Sequence, residues 1–144
     1  METLDNNATR IFSALLSKME GRPYKKIIKE PYMPLTIERL GGDFLSTWGA
    51  GEFYSLCHYY QQNGDLMQDP EMCFLVVDNR KEGDDLTQLH VVPCTYQNAS
   101  LGVYEESISF MSGRIGIYLS RLHGQHLQFA ATWLSNIKQQ GFLK

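Results

Sequence analysis

The stretch Glu-Met-Cys-Phe-Leu-Val-Val-Asp, residues 71–78, is the most strand-like part of the chain. Four large apolar residues follow one another from Phe74, and aromatic and β-branched residues of this kind favour strands. The stretch therefore predicts a strand over Glu71–Asp78. Shorter runs of similar composition lie on both sides of it in the chain.

Seven further runs are rich in Ile, Leu, Phe, Tyr, Val or Trp and are separated by Gly, Pro or charged residues. These runs predict the other strands. They are Tyr24–Lys29, Leu35–Leu40, Phe44–Trp48, Glu52–Tyr60, Leu89–Tyr96, Gly102–Phe110 and Arg114–Leu119. Gly41-Gly42-Asp43 and Gly49-Ala50-Gly51 predict tight hairpin turns, which pair neighbouring strands antiparallel. The charged segment Asn79–Thr87 predicts a solvated turn. An antiparallel meander is the simplest topology that joins these strands.

Helical periodicity occurs at the two ends of the chain. Apolar residues recur at spacings of three and four within Asp5–Met19 and within His123–Gln140. Asp5 or Asn6 can cap the first helix, and Gly21 can end it. The order of helix, strands and helix predicts an α+β fold, in which terminal helices cover an antiparallel sheet. We expect the chain, residues 1–144, to form a single globular domain.

Composition argues against general binding of nucleic acid. The chain has 144 residues and a formal net charge of -3, so it has no general basic field that would attract nucleic acid. A basic strip near the start does offer a local nucleic-acid hypothesis, in which nearby tyrosines stack on bases. This strip consists of Arg22, Lys25, Lys26 and Lys29, interleaved with Tyr24 and followed by Tyr32. Protection of a strand edge is the favoured interpretation of its lysines.

Targeting and cofactor signals are lacking in the sequence. Cys57, Cys73 and Cys94 are an odd number of cysteines without a secretory signal, which predicts a cytoplasmic protein with reduced thiols. No apolar run reaches the roughly 20 residues that cross a bilayer, so a membrane role is not expected. The glycine-rich spots neither open a helix nor precede Lys-Ser or Lys-Thr, which excludes a P-loop. We expect no cofactor.

Polar residues concentrate between the strands that end near Tyr60 and begin near Glu71. Ten residues are long for a hairpin connection, and long loops are often functional. The segment Asn63–Glu71 therefore predicts a recognition surface, together with a nearby turn at Tyr96-Gln97-Asn98. The candidate binding residues are Tyr60, Asn63, Asp65, Asp69, Glu71, Tyr96, Gln97 and Asn98. A carboxylate-capped turn without a function is the simpler interpretation of the same loop.

Two catalytic alternatives use the same region. His58, Asp65, Asp69 and Glu71 could serve a metal-dependent hydrolase, because carboxylate oxygens bind Mg²⁺ or Ca²⁺ and histidine can act as a general base. A zinc site is the other alternative: symmetric hairpins would place His58 opposite Cys73, and Cys73 opposite Cys94. Either a slip by one residue or a bulge would destroy that alignment.

Several motifs resemble those of a family of small bacterial domains that have no assigned activity and are encoded on phages, plasmids and conjugative elements. The motifs are Tyr32-Met33-Pro34-Leu35-Thr36-Ile37-Glu38, Ser55–Tyr60, Gln62-Asn63-Gly64-Asp65-Leu66, Asp69-Pro70-Glu71-Met72, Tyr96-Gln97-Asn98, Leu101-Gly102, Trp133-Leu134 and Ile137–Phe142. The resemblance implies a genetic setting and no catalytic residue. With the loop chemistry, it predicts a non-enzymatic binding module of a mobile element, such as an anti-defence protein, with a protein partner.

Overall fold

A computed structural model describes residues 1–81 and 85–144. Twelve elements follow one another: α1 Asn6–Lys18, β1 Tyr24–Ile27, β2 Leu35–Ser46, β3 Gly49–Gln62, β4 Asp65–Asp78, a 3-10 turn Leu86–Gln88, β5 Leu89–Asn98, a 3-10 turn Ala99–Leu101, β6 Val103–Glu106, β7 Ile108–Met111, β8 Arg114–Tyr118 and α2 Ser120–Gln139. The predicted α+β architecture, with an antiparallel sheet and two terminal helices, is confirmed. The charged turn predicted for Asn79–Thr87 includes residues 82–84, which lie outside the described residues.

The strands form one mostly antiparallel sheet of eight strands in the order β6-β5-β4-β3-β2-β8-β7, with β1 paired to β2. Strands β1 to β6 form the expected meander. The hairpin β7–β8 departs from it and returns to β2, where Leu45 and Arg114 form a parallel bridge. This return bends the hairpin over part of the sheet, so that one sheet face has two different halves.

The two helices cover the first face of the sheet. Asp5 caps α1 by accepting a hydrogen bond of 2.8 Å from the backbone N–H of Ala8, which satisfies a free donor of the first turn. Phe12 of α1 packs on Phe74 of β4 with ring centroids 5.0 Å apart. The buried side of α2 lies in the same core through Trp133 and others. Both helices therefore stabilise the fold by burying one apolar side.

The hairpin β7–β8 covers one half of the second face. Its Phe110 packs against Phe44 of β2 and Phe53 of β3, with ring centroids 5.1 and 5.3 Å apart. Leu75 and Val92 are fully buried in this second core. The other half of this face, which the hairpin does not cover, carries no helix or strand among the described residues.

Two of the predicted turns are wrong. Gly41-Gly42-Asp43 lies within the continuous strand β2, where register shifts on both sides of Gly41 mark bulges. Gly41 and Gly42 have φ of +78° and +100°, which glycine adopts without strain. The hairpin between β2 and β3 turns at Thr47 and Trp48, one step before Gly49-Ala50-Gly51.

The prediction of a ten-residue loop between β3 and β4 is also wrong. Strand β4 already begins at Asp65, so Asn63 and Gly64 alone form the turn, with φ of +54° and +86°. Asn-Gly with both φ values positive is the favoured two-residue hairpin turn. A bulge at Asp69 and Pro70, opposite His58, interrupts the pairing, because proline has no N–H to donate. The predicted turn at Tyr96-Gln97-Asn98 likewise belongs to strand β5.

Neither helix offers the length of apolar sequence that a bilayer crossing requires, as far as residues 1–81 and 85–144 are concerned.

Candidate functional site

Two straight rows of mostly polar side chains cross the uncovered half of the second sheet face, and we call these twelve residues the open face. Each row takes one residue from each of β1 to β6, and neighbours within a row are paired Cα partners. The first row is Tyr24, Glu38, Ser55, Cys73, Thr95 and Glu106, and the second is Lys26, Thr36, Cys57, Glu71, Gln97 and Tyr104.

The period of the strands produces this arrangement. Successive side chains of a strand point to opposite faces, so the residues between the two rows face the helices. Ile37, Leu56 and Met72 lie between the rows and are fully buried in the core beneath α1 and α2. Strands β2, β3 and β4 therefore each contribute apolar residues to one core and polar residues to the open face.

A hydrogen bond holds the centre of the open face. The Ser55 hydroxyl donates to Glu71 Oε2 over 2.6 Å, and only 3% of Ser55 is exposed. Its neighbour Cys73 donates its backbone N–H to the Thr95 hydroxyl over 3.1 Å. The first bond fixes a serine hydroxyl beside a carboxylate, and the second ties the backbone of Cys73 to the side chain of Thr95 on the next strand.

The thiols of the open face are held in their neutral form. Burial raises the pKa of Cys57 to about 12, and the Glu71 carboxylate adds to this shift. Burial likewise raises the pKa of Cys73, with the hydrogen bond to Thr95 opposing it and Glu71 and Glu38 raising it further. Since the thiolate is the nucleophilic form, these cysteines are poorly suited to nucleophilic catalysis.

The open face has a hollow at each side. A groove of about 650 Å³ lies towards β1, lined by Tyr24, Glu38 and Tyr59 among others. A smaller hollow of about 310 Å³ reaches from the glycine bulge of β2 to Thr95 and Glu106. The outer tyrosines stand clear of the surface, with Tyr24 57% and Tyr104 61% exposed.

The predicted site residues are distributed over four places. Glu71 and Gln97 lie side by side on the open face. Asn98 donates to the Asp69 carboxylate over 2.9 Å at the bulge of β4. Asn63 and Asp65 lie at the exposed hairpin tip, and Tyr60 lies before the tip on β3, where it lines the groove towards β1.

Tyr96 lies on the other sheet face. Its ring packs edge-on against Phe129 of α2, with centroids 4.8 Å apart. The basic strip is divided in the same way, because Lys25 and Lys26 are consecutive residues of β1 and point to opposite faces.

The four residues of the hydrolase alternative do not meet. His58 is buried on the helix face, where its Nδ1 donates to the carbonyl of Met33 over 3.0 Å. Glu71 lies on the opposite face. Asp65 precedes Asp69 by four residues, roughly 13 Å along a strand. Within residues 1–81 and 85–144, no group of three or more histidine, cysteine or carboxylate side chains could hold a metal ion.

The register predicted for the zinc alternative is wrong as well. Cys73 pairs with Ser55 on one side and with Thr95 on the other. The hairpin of β4 and β5 keeps the symmetric pairing as far as Phe74 and Pro93, and a bulge at Cys94 then shifts it. Pro93 lacks an N–H, which favours a bulge at this point of the strand.

A serine, a histidine and a carboxylate do meet elsewhere, in contact with α2. His126 bonds the Ser107 hydroxyl through Nδ1 at 2.9 Å and the Glu105 carboxylate through Nε2 at 3.1 Å. In serine hydrolases the two ring nitrogens are used the other way round. Ser107 is fully buried and also lies 3.2 Å from the carbonyl of Cys94. The cluster therefore ties α2 to the break between β6 and β7 and offers no substrate access.

Sequence reasoning missed most of the open face. Glu38, Ser55, Tyr104 and Glu106 lie in predicted strands and are not among the predicted site residues. The usable signal was alternation, as in Thr36 and Glu38 of β2. Alternation alone does not show which residues of different strands share a row, because that depends on register.

Comparison with known proteins gives one result. Searches of curated proteins and of solved structures each find no match. A family model described as a domain of unknown function, DUF6908, matches residues 7–143, which include all twelve residues of the open face. The chain belongs to this family.

Proposed function

We propose that this domain is a non-enzymatic binding module that recognises a basic segment of a partner protein through the open face. The observation that carries the proposal is the contrast within one sheet face, where a hairpin covers an apolar half and no helix or strand of the described residues lies over the polar half. A face of six strands with grooves at both sides is broad enough for an extended polypeptide segment.

Charge favours a basic partner. The open face carries the carboxylates Glu38, Glu71 and Glu106 and one ammonium group, that of Lys26. Complementary charge accelerates encounter and suppresses wrong partners. The same surplus of negative charge repels phosphate backbones, so nucleic acid is not the favoured ligand of this surface.

Aromatic residues supply the second element of recognition. Tyr24 and Tyr104 stand at opposite ends of the two rows, and Tyr59 lines the groove near β1. Tyrosine gives a large contact area together with a polar tip, which is why it is common in interfaces. Guanidinium and ammonium groups also bind over tyrosine rings.

The chemistry of the open face favours binding over catalysis. Its thiols are held protonated, and the Ser55 hydroxyl is on a residue that is only 3% exposed, which leaves a substrate little access to it. The hydrolase alternative would have to act from residues that lie apart, among them His58 on the helix face. The mobile-element setting, the cytoplasmic location and the anti-defence role rest on sequence alone and stay predictions.

Peptide display on the purified protein tests the proposal. A random peptide library should yield sequences rich in arginine or lysine, because these match the surplus of carboxylates. Glu38→Lys and Glu106→Lys should each weaken the best peptide at least about tenfold. Glu20→Lys, an exposed charge reversal beside α1, serves as the matched control and should leave affinity unchanged.

Two results would overturn the proposal. One is a selected peptide set without basic residues. The other is equal loss of affinity in the open-face variants and in Glu20→Lys, because that pattern would reflect net charge alone. Circular dichroism of each variant verifies that the fold is intact.

A further inference from the structure

The two exposed carboxylates of the open face lie far apart. Glu38 of β2 and Glu106 of β6 stand in the same row, in which each residue is the Cα partner of the next. Four strand spacings, roughly 19 Å, therefore separate their Cα atoms. Neither carboxylate forms an ion pair with any residue in 1–81 or 85–144.

The third carboxylate of the open face, Glu71, is less exposed and already has a partner. It lies on β4, midway between the strands of Glu38 and Glu106, and accepts the hydrogen bond from Ser55. A basic side chain of a partner gains less there than at a carboxylate without such a bond. The open face therefore offers two separate points for basic side chains.

The hairpin β7–β8 limits the direction in which a bound segment runs. Along the strands, the open face ends where Phe53 and Leu75 are packed beneath the hairpin. Across the strands it extends from β1 to β6, which is five strand spacings or roughly 24 Å. An extended segment of about seven residues has this length. The direction across the strands is therefore the one that gives a segment room.

The groove towards β1 offers an apolar site at one end of this path. The exposed side chains of Met33 and Leu66 line it, together with Tyr59 and others. The charged residues of its lining are Lys26 and Glu38, which have opposite charges. A large apolar side chain suits this composition better than a cation does. Its removal from water adds affinity that exposed ion pairs alone do not supply.

We infer, on the basis of the proposed function, that the partner segment is extended, crosses the strands and carries two basic residues about six positions apart, with a large apolar residue beside one of them. Six residues of extended chain span roughly 20 Å, which matches the separation of Glu38 and Glu106. An even spacing also keeps both basic side chains on one side of the segment. The apolar residue lies two positions beyond the basic residue that meets Glu38, and it enters the groove.

Synthetic peptides test the spacing. Each contains two arginines, with a leucine two positions outside one of them, in an otherwise uncharged sequence. The arginines are two, four, six or eight positions apart, and fluorescence anisotropy measures binding to the full chain. Affinity should be highest at a spacing of six. It should be at least about tenfold lower at a spacing of two, because that peptide does not reach both carboxylates.

Double-mutant cycles test which arginine meets which carboxylate. Glu38→Gln should be coupled to replacement of the arginine beside the leucine, and Glu106→Gln to replacement of the distant arginine. Glu20→Gln, an exposed change beside α1, is the matched control and should be coupled to neither.

A change in the groove tests the apolar residue. Leu66→Ser should weaken the best peptide about tenfold and leave a peptide with alanine in place of the leucine unchanged. Leu101→Ser alters a leucine that is 72% exposed on the turn before β6, and it should leave both peptides unchanged.

Three results would overturn the crossing segment and leave the proposed function intact. They are equal affinity at all spacings, equal coupling of each carboxylate to both arginines, and equal effects of Leu66→Ser on the peptides with leucine and alanine. Absence of binding by every arginine peptide would overturn the proposed function and the crossing segment together.

Discussion

The two halves of the second sheet face belong to the same strands and have opposite surfaces. In β4, Leu75 and Val77 are buried beneath the hairpin β7–β8, whereas Glu71 and Cys73 of the same strand lie on the open face. In β3, Phe53 packs against Phe44 and Phe110, whereas Cys57 lies on the open face. A single strand thus supplies stability at one end and a surface for recognition at the other, which makes the two roles separable by mutation.

Removing a side chain from the covered half should have the largest effect. Leu75→Ala is expected to lower the free energy of unfolding by about 3 kcal/mol, because Leu75 is fully buried and alanine leaves a cavity. Urea denaturation measures this loss. A loss of unfolding free energy below about 1 kcal/mol would contradict the conclusion that Leu75 packs in a second core.

Breaking the central hydrogen bond of the open face should have a smaller effect. Ser55→Ala removes the donor to Glu71 and should lower the free energy of unfolding by about 1–3 kcal/mol. Adding Glu71→Ala to this variant should recover part of the loss, because no carboxylate is then left without its partner. Equal stability of Ser55→Ala and the wild type would show that this hydrogen bond does not stabilise the fold.

Alkaline pH should destabilise the fold through the buried thiols. In the unfolded chain the Cys57 thiol loses its proton near its ordinary pKa of 9.0, whereas in the fold its pKa rises to about 12. The unfolded state therefore binds fewer protons between these values. The free energy of unfolding should fall there by at most about 1.4 kcal/mol per pH unit for this thiol.

Urea midpoints of the wild type at pH 8 and pH 10.5 check this slope. Cys57→Ala should reduce the slope, and the remainder comes from other buried groups with raised pKa values, among them Cys94, whose pKa burial raises to about 12, and Cys73. An unchanged slope in Cys57→Ala would show that this thiol ionises as readily in the fold as in the unfolded chain.

Truncation on the open face should have the smallest effect on stability. Gln97→Ala is expected to change the free energy of unfolding by no more than about 0.5 kcal/mol, since the side chain is partly exposed and makes no packed core contact. The comparison with Leu75→Ala is direct because both residues lie on neighbouring strands. If Gln97→Ala costs as much as Leu75→Ala, the open face is part of the core.

Local signals in the sequence were enough for the helices and for most strands. Asp5 caps α1 as its side chain predicts, and the apolar run beginning at Phe74 lies in β4. Glycine and proline were ambiguous, because both mark turns and both also mark bulges. The sequence around Gly41-Gly42 and Pro70 therefore predicts a turn or loop, although all three residues lie inside strands.

The site could be predicted only in part for a different reason. Glu71 and Gln97 were identified from their polarity, yet Glu38 and Glu106 are on strands distant in sequence and reach the same rows only through pairing. Pairing depends on several bulges, each of which moves all later residues by one position. No local pattern fixes those shifts.

The hairpin tip at Asn63 and Gly64 is a suitable position for a fluorescent reporter of ligand binding in the groove beside β1. Both residues are exposed, and a Cβ at Gly64 would meet no atom within 4 Å. Exposed tips of this kind tolerate inserted sequence. Leu66, two residues further on, lines the groove beside β1. An environment-sensitive fluorophore attached to a cysteine inserted at this tip should change its emission when the groove fills, which makes occupancy readable in solution without labelling the partner.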